Sequence, residues 1–268
     1  EIAIRIFRAA EESGIKTAAI YSKEDRFALH RYKTDESYLV GEDKGPIQAY
    51  LDISGIIKIA KEAHIDAIHP GYGFLSESPE FAKECLENNI VFIGPSPEIL
   101  TKLGNKTEAI KVANQAKVKT IPSVAIEKQS QKDLQDSIKA IGYPVMVKAS
   151  WGGGGRGMRI VNSEKDLLDQ IKNAQSESKK AFGKDEVFIE KFLDDVAHIE
   201  VQILGDQYGN IIHLFERDCS LQRRHQKIIE RAPAHFLDQS VRNKICEAAI
   251  NIAKKVKYVG AGTVEFLL

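Results

Sequence analysis

Four consecutive glycines between two apolar segments are the feature that most limits what this chain can fold into. The segment 151–157 reads WGGGGRG, with the apolar stretch 144–148 before it and the stretch 158–161 after it. Glycine gives up more backbone entropy on folding than any other residue, so four in a row are costly unless the bare backbone has a use. A flexible linker is the competing interpretation, but apolar strands abut the segment on both sides. The pattern predicts a β-hairpin whose loop brings backbone N–H groups close to phosphate oxygens.

Other phosphate-binding glycine loops differ from this one in their surroundings. Gly152, Gly154 and Gly157 fit the dinucleotide fingerprint, but that fingerprint opens a helix, whereas a strand-like run follows here. Neither the Gly-Lys-Ser/Thr end of a Walker A loop nor the DFG motif of a protein kinase is present. A strand, Lys148, a glycine flap and a second strand follow the order of the ATP-grasp fold. Lys148 is therefore predicted as a phosphate ligand rather than a solvated strand end, and Lys106, at the head of another helix, as a second cation.

Composition excludes several classes of protein. The chain has 268 residues, with 38 Lys and Arg against 38 Asp and Glu, so no overall field attracts nucleic acid or an acidic membrane. No apolar run approaches the about 18 residues that span a bilayer. Three cysteines, Cys85, Cys219 and Cys246, are widely spaced and odd in number, which is typical of reduced thiols in an intracellular protein. We expect a cytoplasmic protein, or one of the mitochondrial matrix in a eukaryote, with neither a nucleic-acid nor a membrane partner.

The order of predicted elements indicates an α/β fold in two parts. Residues 1–95 alternate helices with short β-branched strands, which predicts a doubly wound parallel N-terminal domain covered on both faces. Residues 96–268 follow as an ATP-grasp domain with a small α+β lid lobe, about 120–190, and an antiparallel-sheet lobe. Ser163 and Asp166 have the spacing of a capping box for a helix over 164–176. A helix without a preceding strand at one end, and a strand-like run at the other, lead us to expect a chain truncated at both termini.

A mixed charged segment, residues 216–227, is the second dense signal. It has no strand or helix periodicity, so we predict a loop between rigid elements, where functional residues tend to collect. A solvated face is the ordinary alternative, and a nucleic-acid patch is disfavoured because aromatic residues are not interleaved. His198 is either a satisfied strand-end histidine or a site residue. Glu190 and Lys191 are predicted at a strand edge, either merely exposed or offering backbone groups to an adenine ring. Glu265, the only charge in 263–268, suits a hard cation such as Mg²⁺.

Four stretches in this order resemble biotin carboxylase across essentially the whole chain. They are residues 69–77 (HPGYGFLSE), 148–157, 216–227 and 260–267 (GAGTVEFL). Residues 30–33 and 35–41 are more similar to pyruvate carboxylases than to acetyl-CoA carboxylase subunits. Trp151 departs from the family, which usually has glycine or another small residue there.

The resemblance implies a role for each matching residue. Gly154 and Gly155 would form a closing lid, Lys227 would be catalytic and bind bicarbonate, and Glu265 would hold Mg²⁺ or Mn²⁺. The implied ATP-binding residues are Lys106, Lys148, Gly154, Gly155, Glu190, Lys191, Phe192, Leu193, His198, Gln222, His225, Glu265 and Leu267.

The activity that the resemblance implies is ATP-dependent carboxylation of biotin by bicarbonate through carboxyphosphate. It implies ATP, Mg²⁺ or Mn²⁺, and biotin attached elsewhere as carrier substrate, with bicarbonate and a biotin carrier domain as partners and a homo-oligomer as the intact protein. The chain stops before the family's second metal-binding glutamate, its catalytic base and its biotin-binding arginine, so this part alone is expected to be inactive. Another ATP-grasp ligase, such as a carbamoyl-phosphate synthetase domain, and a non-catalytic nucleotide-binding module stay open as alternatives.

Overall fold

The computed structural model describes residues 2–126, 130–152 and 157–268. The chain forms two compact units, Glu1–Thr101 and Lys102–Leu268. Helix α5 (Pro97–Gly104) contains the point of division. Within the described residues, no helix combines the length and the apolar character that crossing a membrane requires.

The first unit is built from short parallel strand pairs and helices. Its elements are α1 (Ile2–Glu12), β1 (Ala18–Tyr21), a 3-10 helix (Leu29–Tyr32), β2 (Glu36–Leu39), α2 (Pro46–Tyr50), α3 (Ile53–Glu62), β3 (Ala67–Ile68), α4 (Pro79–Glu87) and β4 (Val91–Phe92). Strands β1 and β2 pair in parallel, as do β3 and β4. The predicted parallel pairing is confirmed, although the described strands form two separate two-stranded sheets rather than one continuous sheet.

Apolar residues from helices and strands fill the core of this unit. Ile56 and Ile57 of α3, Phe81 and Cys85 of α4, and Val40 after β2 are buried together. Helix α4 begins with Pro79, which needs no N–H partner in the first turn, and the Ser78 hydroxyl accepts the N–H of Phe81 at 3.1 Å. These local signals fix where the helix starts, and its apolar face then packs on the core.

The second unit begins with a four-stranded antiparallel sheet. Its elements are α6 (Lys106–Gln115), β5 (Ser123–Ala125), α7 (Gln131–Ile141), β6 (Val145–Ala149), β7 (Arg159–Val161), α8 (Glu164–Phe182) and β8 (Val187–Lys191). The strand order is β5-β8-β6-β7, so β8 is an interior strand. Helix α8 buries Leu167, Ile171 and Ala174, spaced four and three residues apart on one face, against this sheet. Strands β6 and β7 flank the glycine segment as an antiparallel hairpin, which confirms the prediction from their apolar composition.

A second antiparallel sheet completes this unit. It consists of β9 (His198–Gly205), β10 (Ile211–Arg223), β11 (Gln226–Arg231) and β12 (Gly260–Leu267), in the order β11-β10-β9-β12, and it is covered by α9 (Gln239–Val256). Ile199, Val201 and Ile203 of β9 pack in the core that α9 closes. Because successive side chains of a strand point to opposite faces, His198, Glu200 and Gln202 lie on the other face of the sheet.

Two local predictions are wrong for identifiable reasons. Residues 216–227, predicted as a loop, belong largely to a β-hairpin in which β10 and β11 are joined by Arg224 and His225, both at positive φ. Within residues 216–227 only Cys219 and Leu221 are apolar, so this segment lacks the apolar alternation by which strands are found. The predicted capping box is also incomplete, because the Ser163 hydroxyl bonds the Asp166 carboxylate at 2.9 Å and caps no backbone N–H. Helix α8 itself continues to Phe182, beyond the predicted end at residue 176.

A buried ion pair between the sheet and α9 leads to a stability prediction. Glu216, 1% exposed, accepts from Arg242 Nε at 2.8 Å and from the N–H of Ala234 at 3.1 Å. Arg242→Ala leaves the carboxylate buried without its cation, so we expect the free energy of unfolding to fall by about 3–5 kcal/mol. Urea denaturation measures the change, with exposed Lys244→Ala on the same helix as the control. Equal stability of the two variants would contradict the prediction.

Candidate active site

In the sheet formed by β9–β12, the face opposite α9, here called the outer face, carries charged side chains around two opposed carboxylates. Strands β9 and β12 pair so that Glu200 lies directly opposite Glu265. Lys227, from β11, donates to Glu200 Oε2 and, at 2.9 Å, to Glu265 Oε1. Arg217 of β10 holds the other oxygen of Glu200, with Nε at 2.6 Å and Nη2 at 2.5 Å. Like charges opposite each other on a sheet repel, so these two cations make the arrangement possible.

The charges of this cluster are set by their mutual contacts. Burial raises the pKa of Glu200, but hydrogen bonds from Lys227 and Arg217 outweigh it and lower the pKa overall. The contact with His198 and the bond from Lys227 lower the pKa of Glu265 to about 2, against the effect of burial. Burial lowers the pKa of Lys227, but its bonds to Glu200 and Glu265 prevail and raise it. At neutral pH both carboxylates are therefore ionised and Lys227 is cationic.

His198 and Gln222, both predicted to contact the nucleotide, lie next to each other beside this cluster. The Nε2 of Gln222 is 2.7 Å from Nδ1 of His198 and donates to the carbonyl of Cys219 at 3.0 Å. Nε2 of His198 is buried, lies 3.5 Å from Glu265 Oε1, and forms no hydrogen bond to any described residue. Leu267 pairs with His198 across β9 and β12. This imidazole is thus fixed by Gln222 on one side and faces Glu265 on the other.

A second group of predicted residues lies in the first sheet of this unit. Lys148, near the end of β6, forms an ion pair with Glu190 of β8, and the exposed fractions of the two side chains are 22% and 10%. Lys148 is therefore neither fully solvated nor without a counterion. The ammonium of Lys191 donates hydrogen bonds to the carbonyls of Gly142 and Tyr143, at 3.0 and 3.1 Å.

The prediction that Glu190 and Lys191 lie at a strand edge is wrong. Strand β8 is paired on both sides, with Glu190 opposite Ser123 of β5 and opposite Met146 of β6. Glu190 and Lys191 look like an exposed edge in the sequence, but Glu190 forms an ion pair with Lys148 and Lys191 donates to two carbonyls within the same unit. Beyond β8 the backbone N–H of Phe192 donates to the Pro144 carbonyl at 3.2 Å, and Leu193 is 38% exposed.

Lys106 lies at the first turn of α6 and reaches the start of the glycine segment. Its backbone N–H donates to the Ser150 carbonyl at 2.9 Å, and its ammonium donates to the carbonyl of Gly152. The predicted lid residues Gly154 and Gly155 lie outside the described residues. His225 is exposed at the turn of the β10–β11 hairpin.

Sequence reasoning missed Glu200 and Arg217, the centre of the outer-face cluster. Strand β9 alternates apolar and polar side chains, and this alternation puts Glu200 on the same face as His198. That signal was available in the sequence. The partnership with Arg217 was not, because it depends on the register between β9 and β10, in which Arg217 lies opposite Glu200.

Of the two opposed carboxylates, Glu265 is the more accessible to a hard cation. It is ionised and its side chain is 54% exposed, so its oxygens are accessible to Mg²⁺. Glu200, Cys219 and Glu230 also bring possible ligand atoms within 4.8 Å of one another. They fit a metal poorly, because Glu200 is already neutralised by two cations and burial raises the pKa of the Cys219 thiol to about 11. Glu265 is the better candidate.

Two family models together match nearly all of this chain. Residues 1–100 match "Biotin carboxylase, N-terminal domain", and residues 105–268 match "Carbamoyl-phosphate synthase L chain, ATP binding domain". The pyruvate carboxylase of Bacillus subtilis is 56% identical over all 268 residues of the chain, which spans only 23% of that relative.

Solved structures resemble the chain over its whole length. A biotin carboxylase from Campylobacter jejuni in complex with β,γ-ATP is 45% identical with a TM-score of 0.95, and the match covers 100% of this chain and 60% of that one. The biotin carboxylase domain of 2-oxoglutarate carboxylase from Hydrogenobacter thermophilus, in complex with MgADP, ADP and bicarbonate, is 43% identical with a TM-score of 0.94. That match covers 99% of this chain and 58% of the other.

These matches confirm both the predicted resemblance to biotin carboxylase and the predicted α/β fold with an ATP-grasp part. The second family model covers more than half of the residues. The chain therefore belongs to the family of the carbamoyl-phosphate synthase L chain ATP-binding domain, preceded in sequence by a biotin carboxylase N-terminal domain.

Proposed function

We propose that this chain binds ATP for the biotin carboxylase reaction of a pyruvate carboxylase. The observation that carries the proposal is the outer-face cluster, in which Lys227 is held cationic between Glu200 and Glu265, beside His198, whose buried Nε2 lies 3.5 Å from Glu265. The complexes of the two relatives, one with β,γ-ATP and one with MgADP, ADP and bicarbonate, support the same ligands here. A biotin carrier domain as partner, a homo-oligomer, and a cytoplasmic or mitochondrial-matrix location belong to this proposal.

The domain limits follow from the same proposal. Residues 1–95 are assigned as the biotin carboxylase N-terminal, Rossmann-like domain. Residues 96–268 are assigned to the ATP-grasp domain, with its lid lobe at about 120–190.

In this proposal the phosphates of ATP are held by two lysines. Lys106 and Lys148 each present an ammonium that is now engaged with a protein oxygen, at Gly152 and at Glu190 respectively. A contact between unit charges near 4 Å is worth about 4 kcal/mol at an effective dielectric of about 20. Glu190, Lys191, Phe192 and Leu193 would line the adenine pocket, with Gly154 and Gly155 covering the phosphates. The nucleotide would also contact His198, Gln222, His225 and Leu267.

Glu265 would hold Mg²⁺ or Mn²⁺, and Lys227 would bind bicarbonate. A bound divalent cation supplies charge neutralisation for the phosphates. Since its pKa is raised, Lys227 keeps its proton and can donate hydrogen bonds to an anion, but it is a poor base. Its role is thus to orient bicarbonate and offset its charge, and deprotonation must be carried out by another group.

The proposed reaction has two stages. A bicarbonate oxygen attacks the γ-phosphorus of ATP, the bond from that phosphorus to the β,γ-bridging oxygen breaks, and ADP leaves with carboxyphosphate as the second product. Carboxyphosphate then releases CO₂ and phosphate, and the deprotonated ureido nitrogen of biotin takes up the CO₂. The first stage depends on positioning and on neutralising the charge of the transferred group.

A carbamoyl-phosphate synthetase-like ligase is a second candidate, favoured by the name of the family model that matches residues 105–268. Both candidates activate bicarbonate with ATP, and they differ in the acceptor. Labelled bicarbonate supplied to the full-length protein with MgATP distinguishes them. Label in biotin supports our proposal, whereas label transferred only to ammonia would replace it with the second candidate.

Lys148→Gln tests the nucleotide site. Loss of one charge-assisted phosphate contact costs about 1.5–3 kcal/mol, so we expect an ATP dissociation constant about 10- to 150-fold higher. Calorimetric titration with a non-hydrolysable ATP analogue measures the change. Lys139→Gln, an exposed lysine paired with Glu164 on the surface, is the matched control. An unchanged affinity in a folded Lys148→Gln variant would overturn the assignment of Lys148.

Glu265→Gln tests the metal site. The substitution keeps the shape of the side chain and removes the charge that a hard cation needs. We therefore expect the ratio of the ADP dissociation constants without and with Mg²⁺ to be at least about tenfold smaller in the variant, a difference on the order of 1.4 kcal/mol. ADP affinity without Mg²⁺ should stay close to that of the unmodified chain. Glu247→Gln, at an exposed position of α9, is the control. If Mg²⁺ strengthens ADP binding equally in all three proteins, Glu265 is not the ligand.

A further inference from the structure

Trp151, the only tryptophan of the chain, is held by two charged side chains at the start of the glycine segment. Its indole N–H donates to Oε2 of Glu186, and the ammonium of Lys184 lies 3.3 Å from the ring centroid. The ring also lies close to the end of α5, since a Cβ at Gly104 would be 3.8 Å from Trp151 Cζ3. A half-buried indole usually finds a partner for its N–H, and here the partner is a carboxylate.

Glu186 connects this ring to the beginning of α6. The same Oε2 accepts from Asn105 Nδ2 at 3.3 Å. Asn105 is the N-cap of α6, and its Oδ1 accepts the N–H groups of Thr107 and Glu108 at 2.9 and 3.3 Å. A cap sets the position and direction of the first helical turn. Trp151 therefore contacts, through one carboxylate, the residue immediately before Lys106.

The backbone closes the same circuit. The carbonyl of Glu186 accepts the N–H of Ser150 at 3.0 Å, and the carbonyl of Ser150 accepts the N–H of Lys106 at 2.9 Å. The Lys106 ammonium then returns to the carbonyl of Gly152. Side chain and backbone thus both tie residues 150–152 to the start of α6.

Gly152 is fixed by packing as well as by hydrogen bonding. Its φ is +77°, and a Cβ at this position would lie 2.2 Å from the Phe182 ring. A side chain at this position would adopt a backbone conformation that favours glycine and would have to displace that ring. The first glycine of the run therefore has a structural role that is independent of phosphate, and the residue before it is the anchored tryptophan.

We propose that Trp151 is a positioning residue for Lys106. By bonding Glu186 it keeps the Asn105 cap and residues 150–152 together, so that the Lys106 ammonium is presented at one place. The inference rests on the proposed function in one respect, namely that Lys106 binds a phosphate of the nucleotide. Trp151 itself does not touch the nucleotide in this proposal.

Trp151→Leu is the principal test, because leucine retains apolar bulk and removes both the indole N–H and the ring face. We expect ATP affinity to fall about 5- to 20-fold and adenosine affinity to stay unchanged, because Lys106 acts only on phosphates. Trp151→Phe keeps a ring over Lys184, so its ATP affinity should lie between those of the unmodified chain and Trp151→Leu. The control is Tyr208→Leu, the same kind of change at a side chain that is 91% exposed. Equal loss for ATP and adenosine would indicate general damage and overturn the proposal.

A double-mutant cycle separates this inference from the proposed function. In a Lys106→Gln background, Trp151→Leu should have no further effect on ATP affinity, because both act through one ammonium. If Lys106→Gln weakens ATP binding and Trp151→Leu does not, the Trp151 inference fails alone. If neither Lys106→Gln nor Lys148→Gln weakens ATP binding, the proposed function fails. Should Trp151→Leu not fold, Trp151→Phe and Glu186→Gln carry the same cycle.

The single indole also provides a readout that does not depend on affinity. Lys106 must exchange the Gly152 carbonyl for phosphate, and this exchange occurs next to the ring. We expect tryptophan fluorescence, or its quenching by acrylamide, to change on addition of ATP and not of adenosine. Lys106→Gln should abolish that change. If the fluorescence of the unmodified chain and its quenching stay the same when ATP is added, Trp151 and Lys106 are not coupled and the proposal fails.

Discussion

The outer face of the second sheet depends on the neutralisation of Glu200. This carboxylate is 3% exposed and lies opposite a second carboxylate, Glu265, on the neighbouring strand. Burying such a charge is tolerated only when it is paired and hydrogen-bonded, and both of its oxygens are used, one by Arg217 and the other by Lys227. Because the two cations come from β10 and β11, the pair fixes the positions of three strands relative to one another. The cluster can therefore form only when these three strands pair in the observed register.

This arrangement also determines which groups are available for chemistry. Lys227 is locked in the charged form, so it can orient an anion but cannot accept a proton at neutral pH. Glu265 shares Lys227 with Glu200 but is far more exposed, so of the two carboxylates it is the one that can change partners. Glu200 therefore holds the strands together, whereas Glu265 is accessible for binding a ligand.

The sequence predicted the elements whose signal is local and missed what depends on register. The glycine hairpin between β6 and β7 was predicted because four glycines and two apolar flanks are contiguous. Residues 216–227 carry no local signal of the β10–β11 hairpin, since few of them are apolar and the turn at Arg224 and His225 has none of the usual turn residues. Lys148 was correctly placed at the end of a strand, but its pairing with Glu190 arises from two strands about forty residues apart, which no local pattern encodes.

The lysines proposed to bind anions are all engaged with protein oxygens in this structure: Lys106 with Gly152, Lys148 with Glu190, and Lys227 with Glu200 and Glu265. An unpaired ammonium in a half-buried position would be costly, so pairing keeps the ligand-free structure stable. Binding of a phosphate or bicarbonate is then an exchange of partners, and its free energy is the difference between two sets of contacts. Each lysine must release a protein oxygen before it can bind an anion, and for Lys148 and Lys227 that oxygen belongs to a carboxylate. The contacts that hold a lysine in place, such as those of Trp151 and Glu186 at the start of α6, therefore enter this free-energy difference together with the phosphate itself.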